Sequence, residues 1–371
     1  MKKKSRRRIE KHLVTLRWRL FEDATYEYLP EEEIRFLYKQ IQSKNDLWRA
    51  EAAAVLGAQR YSEKTESLLY QCTFDPSEDV RSEAADSLSG GRKPQTLDRL
   101  KELLRDESFY VRVYAVLSHF CVYEQLKGYT ESTMKTYLEE IDESYHWEKN
   151  PEVQISYMMV RYYAGIKEEF DHMLERFREA VIAGEAEYWV VWAVIRKLWS
   201  LPNIWYGENL LKMKKTLQLS AGKSKYADIE QEIQELLVEE GRIVIMVVDL
   251  ENTYLSQMLA GITHMDTTPG IVIYSAGLQP GEEIDPRAIE LLEEEYGFDL
   301  EDYQEPNLPT YRHIMDAIVP IGFTDAQERF PLNRILPLYE HYIPTGEESI
   351  EDLKRMVQEI KNCFYEQAIK S

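Results

Sequence analysis

The residues best suited to chemistry lie in one loop, from Asp249 to Ser256, between an apolar run and a helical stretch. The run Ile243 to Val248 is unbroken and rich in β-branched residues, which predicts a strand buried on both faces of a parallel sheet. A strand, a short polar loop and the start of a helix bring free backbone N–H groups together, and such an arrangement binds anions. The loop therefore has the pattern of an oxyanion site, with Asp249 and Asn252 among its polar side chains.

Further stretches follow this loop in a fixed order: Ser256-Gln-Met-Leu-Ala-Gly261, Ser275-Ala-Gly277, and Asp285-Pro-Arg-Ala-Ile-Glu-Leu-Leu292 with Tyr296-Gly-Phe-Asp-Leu300. On these motifs, residues 242–365 resemble the low-molecular-weight protein tyrosine phosphatases and their arsenate reductase relatives. The resemblance implies a small α/β domain with a parallel four-stranded sheet, and we assign it to residues 241–371.

The chemistry of that family depends on a loop of the form C-x-x-N-x-x-R-S, with a thiolate nucleophile and an arginine that clamps the oxyanion. Matching from Ser256 backwards puts Leu255 at the arginine, Asn252 at the asparagine and Asp249 at the cysteine. The segment Tyr342 to Glu347 also lacks the Asp-Pro of the family's general acid. Loss of a single electrostatic donor raises a barrier by about 3–4 kcal/mol. The resemblance thus implies a degenerate loop with no catalytic residue, hence a pseudophosphatase.

Other kinds of chemistry at Asp249 stay open as alternatives. The order D-x-E-x-T from Asp249 to Thr253 resembles haloacid-dehalogenase-type phosphatases, in which the first aspartate is the nucleophile beside magnesium. D-x-E-N resembles the first metal ligand of NYN-type nucleases, for which Asp316 and Asp325 are candidate further carboxylates. Residual phosphatase or arsenate reductase activity is a third alternative. Such short motifs match by chance often, and the histidines have no metal-ligand spacing, so we predict no cofactor and no metal.

Helical periodicity dominates from Ile9 to Glu240, and this part contains an internal repeat. Its three clearest copies are Asp46-Leu-Trp-Arg-Ala-Glu-Ala-Ala-Ala-Val-Leu-Gly57, Asp79-Val-Arg-Ser-Glu-Ala-Ala-Asp-Ser-Leu-Ser-Gly90 and Phe109-Tyr-Val-Arg-Val-Tyr-Ala-Val-Leu117. The pattern V-R-x-x-A-A-x-x-L on the second helix of each pair resembles HEAT repeats over residues 30–200. We therefore predict an all-α solenoid domain over residues 1–240, because single helix pairs cannot bury their apolar faces alone.

Arg49, Arg81 and Arg112 recur in the three copies, 32 and 31 residues apart. One interpretation is a ladder of positive charge that binds an acidic partner, so these arginines are the candidate partner-binding residues. The other is structural: each guanidinium binds a neighbouring aspartate or a helix end.

Composition restricts the class of protein. The net charge of −21 argues against general affinity for nucleic acid or anionic membranes. Three scattered cysteines and the absence of an apolar run of about 18 residues favour a reducing, cytoplasmic location without a membrane span. The basic start Lys2 to Arg8 is either a solvated extension leading into the first helix or a contact for an acidic partner or for the acidic second domain.

We therefore predict a two-domain, non-catalytic scaffold. The solenoid would bind a protein or peptide, and the degenerate phosphatase-like domain would act as a cap, a dimerisation module or a regulatory element. The sequence leaves self-association open.

Overall fold

The computed structural model describes residues 3–21, 28–183, 188–198, 201–204, 207–238, 243–265 and 270–370. Its helices are α1 (Lys3–Phe21), α2 (Glu31–Gln40), α3 (Asp46–Gly57), α4 (Glu63–Cys72), α5 (Glu78–Ser87), α6 (Pro94–Leu103), α7 (Phe109–Lys127), α8 (Glu131–Trp147), α9 (Pro151–Tyr163), α10 (Glu168–Ala183), α11 (Tyr188–Leu198), α12 (Gly207–Ser220), α13 (Ala227–Val238), α14 (Leu255–Met265), α15 (Pro286–Tyr296), α16 (Leu300–Tyr303), α17 (Ala326–Arg329) and α18 (Ile350–Lys370). Its strands are β1 (Ile243–Asp249), β2 (Ile271–Gly277) and β3 (Ala317–Pro320).

The chain divides into two compact units, Met1–Gly128 with Tyr137–Val160, and Tyr129–Thr136 with Arg161–Ser371. The second unit contains helices α10 to α13 as well as the sheet. The domains 1–240 and 241–371 stay a prediction, and the boundary placed near Gly241 lies outside the described residues.

The first unit is a helical array in which an inner row of helices packs in sequence order. Helix α3 packs against α5 and α5 against α7, while α2, α4 and α6 each contact the inner helix that follows. Small residues make this close approach feasible, since Ala52, Ala53, Ala84 and Ala85 are fully buried. The predicted helical, solenoid-like repeats are confirmed for this region.

Gly57 marks the tightest approach between α3 and α5. A Cβ atom added there would meet the Cβ and Oγ atoms of Ser87, whose hydroxyl donates to the carbonyl of Ala53 at 3.0 Å. The glycine is therefore required by packing between helices, and not by its backbone conformation.

The second unit contains a three-stranded parallel sheet of order β2-β1-β3 among the described residues. Ile243, Ile245 and Val247 point to one apolar cluster, and Met246 and Val248 to another. The central strand is thus buried on both faces, as its unbroken apolar run predicts.

The fourth strand that we expected is not a strand in the described residues. Ile335 and Tyr339 make only isolated parallel bridges with Ile318 and Ile321 of the β3 segment. The backbone bonds between Ile318 and residues 334 and 336 are good ones, at 2.8 and 2.9 Å. Pro331 and Pro337 flank this stretch, and because proline lacks a donor, a continuous ladder cannot form there.

Asp316 joins the helical part of the second unit to its sheet. Its two carboxylate oxygens accept the backbone N–H groups of Asn203, before α12, and of Val244 in β1, each at 2.7 Å. The side chain is buried, so this pair of hydrogen bonds fixes the two segments against each other inside the unit.

Substitution of Gly57 by alanine tests the packing of α3 on α5. Alanine is the better helix former by about 1 kcal/mol, but the added Cβ must displace Ser87, and overpacking costs about 1–3 kcal/mol. We expect Gly57→Ala to lower the free energy of unfolding in urea, while Gln71→Ala on the exposed face of α4 leaves it nearly unchanged. An unchanged or raised stability of Gly57→Ala would contradict the close contact.

Candidate functional site

The carboxylate of Asp249 lies at the carboxyl end of β1 and turns back onto its own loop. Its Oδ1 atom accepts the backbone N–H of Asn252 at 2.5 Å, and Oδ2 accepts that of Ser256 at 3.3 Å. These are backbone donors of the loop that precedes and begins α14, where an oxyanion would bind. The loop thus has the geometry of an anion site in which the chain's own carboxylate already binds two of the N–H donors.

Asn252 and Ser256 hold this loop in shape from the inside. Asn252 is fully buried and has a left-handed backbone with φ of 52°. Its side-chain oxygen accepts the hydroxyl of Ser256 at 2.9 Å, and its carbonyl accepts the amide of Gln257 at 3.0 Å. Both polar side chains therefore serve the loop, and neither is free for a ligand.

The segment after β2 covers the loop from the other side. The carbonyls of Asp249, Leu250, Glu251 and Thr253 accept N–H groups from the stretch 278–285, at 2.7 to 3.0 Å. Gly277 packs directly on the loop, because a Cβ added there would lie 2.9 Å from Asn252. With so many backbone groups paired, the loop is rigidly placed.

Leu255 is the first residue of α14 and belongs to the apolar core of the sheet. It is fully buried with Met258 and Leu259 in the cluster that covers one face of β1. A side chain packed there offers no charge to an oxyanion, so this loop has no guanidinium at the position that the resemblance assigns to arginine.

The electrostatics of Asp249 follow from its burial. Desolvation raises the pKa of its carboxyl above the ordinary value of 3.8, and the hydrogen bonds from Ser256 and Asn252 offset only part of that effect. A carboxylate nucleophile has to be ionised and free to reach an electrophile. Asp249 does not meet the second condition, since both of its oxygens are hydrogen-bonded within the loop.

Glu348 is a buried carboxylate of this region that sequence reasoning missed. It accepts the N–H groups of Thr345 and Gly346 at 2.6 and 3.0 Å and the hydroxyl of Tyr342 at 3.0 Å. Burial alone would raise its pKa, but these donors and Tyr254 lower it to about 2. A general acid has to carry a proton at working pH, so Glu348 is a turn-stabilising group. The spacing Thr345-x-x-Glu348 before α18 resembles a capping box and is the signal that could have found it.

The carboxylates considered as further metal ligands lie elsewhere. Asp316 precedes β3, at the amino-terminal ends of the parallel strands. Asp249 ends β1, at the carboxyl-terminal ends of the same strands. Asp325 forms an ion pair with Arg329 at 2.6 Å. Among the described residues no group of three or more histidine, cysteine, aspartate or glutamate side chains is arranged to hold a metal ion.

The three repeated arginines lie in the first unit and bind carboxylates of the same chain. Arg49 forms a two-pronged ion pair with Asp75, Arg81 with Asp106, and Arg112 with Glu148, all at 2.7 to 3.1 Å. Their side chains are only 9–15% exposed. The geometry is that of the structural interpretation, and a role of these arginines in partner binding stays a prediction.

The arginines also connect consecutive repeats through the backbone. Arg81 donates to the carbonyl of Asp75 at 3.0 Å, and Arg112 to that of Asp106 at 2.8 Å. Asp75 and Asp106 therefore each bind one arginine through the side chain and the next through the carbonyl. This alternation explains why the arginine recurs with the repeat.

Residues 34–118 match the family model of HEAT repeats. The match covers the three clear copies of the motif and helices α3 to α6 entirely. HEAT repeats typically mediate protein–protein interaction, so a protein partner is consistent with this part of the chain. No curated protein matches the chain. Of the helices that the structure describes, none combines the length and the apolar character needed to cross a bilayer.

Removal of one arginine tests how much the buried ion pairs of the HEAT repeats stabilise the fold. Arg81→Ala leaves Asp106 buried without its cation, and breaking a buried pair in this way costs about 3–5 kcal/mol. We expect a loss of about 3 kcal/mol in urea unfolding, against less than about 0.5 kcal/mol for Arg35→Ala, whose pair with Glu31 is exposed. Equal effects of the two substitutions would show that the buried pair contributes nothing special.

The pKa of Glu348 gives a dependence of stability on pH. Its folded-state pKa of about 2 lies below the ordinary value of 4.5, so its contribution is present above pH 4.5 and is lost as the pH falls toward 2. At pH 7 we expect Glu348→Gln to be less stable than wild type by roughly 1–2 kcal/mol, after allowing for solvent screening. This difference should shrink below pH 4.5, while the exposed neighbour variant Glu347→Gln shows none. A difference that is independent of pH would contradict an ionised Glu348.

Proposed function

We propose that the protein is a non-catalytic scaffold for protein–protein interaction, with a degenerate phosphatase-like domain as its second part. The single observation that carries the proposal is the position of the Asp249 carboxylate on the backbone N–H groups of its own loop. With its carboxylate on these two N–H groups, Asp249 occupies the position that a phosphate or arsenate would need. The HEAT repeats at residues 34–118 supply the surface for a partner.

Several features of the second unit support the relation to low-molecular-weight phosphatases. Strand β1 is central and parallel to both neighbours, and it leads through the loop into helix α14, which is buried from Leu255 to Thr263. Gly277, from the motif Ser275-Ala-Gly277, packs against Asn252. The segment 334–339 lies beside β3, where a fourth parallel strand would continue the sheet. The motifs that carry the resemblance thus meet around one loop.

The role that fits such a domain is mechanical or regulatory. Asp316 binds the segment before α12 and the start of β1 together, so the sheet and the helices of the second unit form one body. A folded, inactive domain fixed in this way can cap the helical array, bind a second copy, or present a surface to a regulator.

The test compares wild type, Asp249→Asn and Asp249→Ala in the full-length chain. With 4-nitrophenyl phosphate and added magnesium or manganese, we expect no turnover above the protein-free blank for any of them. Asp249→Ala vacates the N–H groups of Asn252 and Ser256, so it should gain millimolar affinity for inorganic phosphate by calorimetry. The neighbouring substitution Glu251→Ala, at an exposed carboxylate, should gain none.

Partner binding is measured on the same proteins by affinity capture followed by reconstitution with the purified partner. We expect equal affinity for wild type and Asp249→Asn, because the loop contributes no chemistry. Turnover by wild type that disappears in Asp249→Asn would replace the scaffold with a hydrolase. Failure of the wild-type chain to reconstitute a complex with any captured protein would also refute the proposal.

A further inference from the structure

The amino-terminal helix α1 combines a concentration of positive charge with a cavity against α2. The sequence of α1 contains eight lysines and arginines and one glutamate, in a chain of net charge −21. Leu13 and Leu16 are buried and fix one side of the helix. Among the basic side chains of α1 that the structure describes, Arg7, Arg8, Lys11 and Arg19 are exposed, whereas Arg17 is half-buried in ion pairs with Glu51 and Glu83.

A groove of about 460 Å³ lies between α1 and α2. It is lined by Arg8, Ile9, Lys11, His12, Thr15 and Phe36. The five residues of α1 follow helical spacing, so they share one face of the helix. The volume is within the range of ordinary ligand sites.

The groove combines cations with an apolar floor. In the part of the chain that the structure describes, neither Arg8 nor Lys11 has an ion pair, whereas His12 Nε2 lies 2.8 Å from a carboxylate oxygen of Glu33. The ring of Phe36 lies edge-on to that of His12, with centroids 4.9 Å apart. Two cations without carboxylate partners beside an aromatic ring suit a ligand that is anionic at one end and apolar at the other.

Helix α1 also has exposed apolar side chains outside the residues that line the groove. Val14 and Trp18, one and two turns along α1 from Lys11, are more than half exposed. Aromatic residues and arginine are enriched at protein interfaces. An aromatic or aliphatic side chain of a ligand could contact Trp18 while its carboxylates reach Lys11.

We infer that this groove, defined by Arg8, Lys11, His12 and Phe36, binds a short acidic peptide segment with an apolar side chain, supplied by a partner protein. The inference rests on the proposed scaffold function and names the chemistry of its partner. Long polyanions fit poorly, because nucleic acid or a charged bilayer would extend past α1 onto a chain of net charge −21. A short acidic segment meets only the local positive field.

The test uses the full chain and a fluorescein-labelled peptide of sequence Ser-Asp-Glu-Phe-Asp-Leu-Glu-Gly, followed by anisotropy. We expect saturable binding to wild type that falls at least tenfold in Lys11→Glu. Lys127→Glu, which makes the same charge change at the exposed end of α7, should change affinity less than twofold. A companion peptide with serine in place of its two apolar residues should bind at least fivefold more weakly.

The outcomes separate this inference from the function on which it rests. Equal weakening by Lys11→Glu and Lys127→Glu would reduce the effect to net charge and overturn the site. No peptide binding, together with a reconstituted partner complex that tolerates Lys11→Glu, would overturn the site and leave the scaffold intact. Preferential binding of an oligonucleotide or of phosphatidylserine vesicles with the same sensitivity to Lys11→Glu would assign the groove to another class of ligand. Circular dichroism of the variants confirms that each is folded.

Discussion

The backbone N–H groups of a loop between a strand and a helix need acceptors, and here Asp249 supplies them from within the loop. Because its carboxylate binds Asn252 and Ser256, two of these N–H groups have an acceptor without a ligand. Burial makes this arrangement costly for a charged group, as the raised pKa of Asp249 indicates. Other hydrogen bonds of the loop offset this cost: its carbonyls accept N–H groups from the segment after β2, and the side chains of Asn252 and Ser256 bind each other. The hydrogen bonds of Asp249 thus both stabilise the loop and occupy two N–H groups that could bind an external anion.

Much of the architecture could be predicted from local patterns. The repeat with Arg49, Arg81 and Arg112 indicates stacked helix pairs, because both its period and its alanines are visible in the sequence. The apolar run Ile243 to Val248 likewise predicts a central strand, since only a strand covered on both sides can be apolar throughout. These signals are short-range and repetitive, and the structure confirms the helical array and the parallel sheet.

The contacts that decide function are longer-range or depend on backbone direction. Whether Asp249 faces outward or onto its own loop depends on the left-handed turn at Asn252, and residue types alone do not fix that turn. The acids that pair with the arginines lie 25 to 36 residues further along the chain, so spacing alone left their partners open. The fourth strand is absent from the described residues for a local reason, because prolines lie on either side of residues 334–336. We expected the strand because the family resemblance implies four strands, although these prolines are visible in the sequence.

The chain of arginines and acids in the first unit has a consequence for how that unit comes apart. Asp75 binds Arg49 through its carboxylate and Arg81 through its carbonyl, and Asp106 does the same for Arg81 and Arg112. Opening one turn therefore removes bonding partners from the repeats on both sides. Stacked repeats coupled in this way resist fraying from one end, because the nearest-neighbour term is large relative to the stability of a single helix pair. Under load or heat this stretch should melt as one cooperative block, so that its matched repeats open together and not one by one.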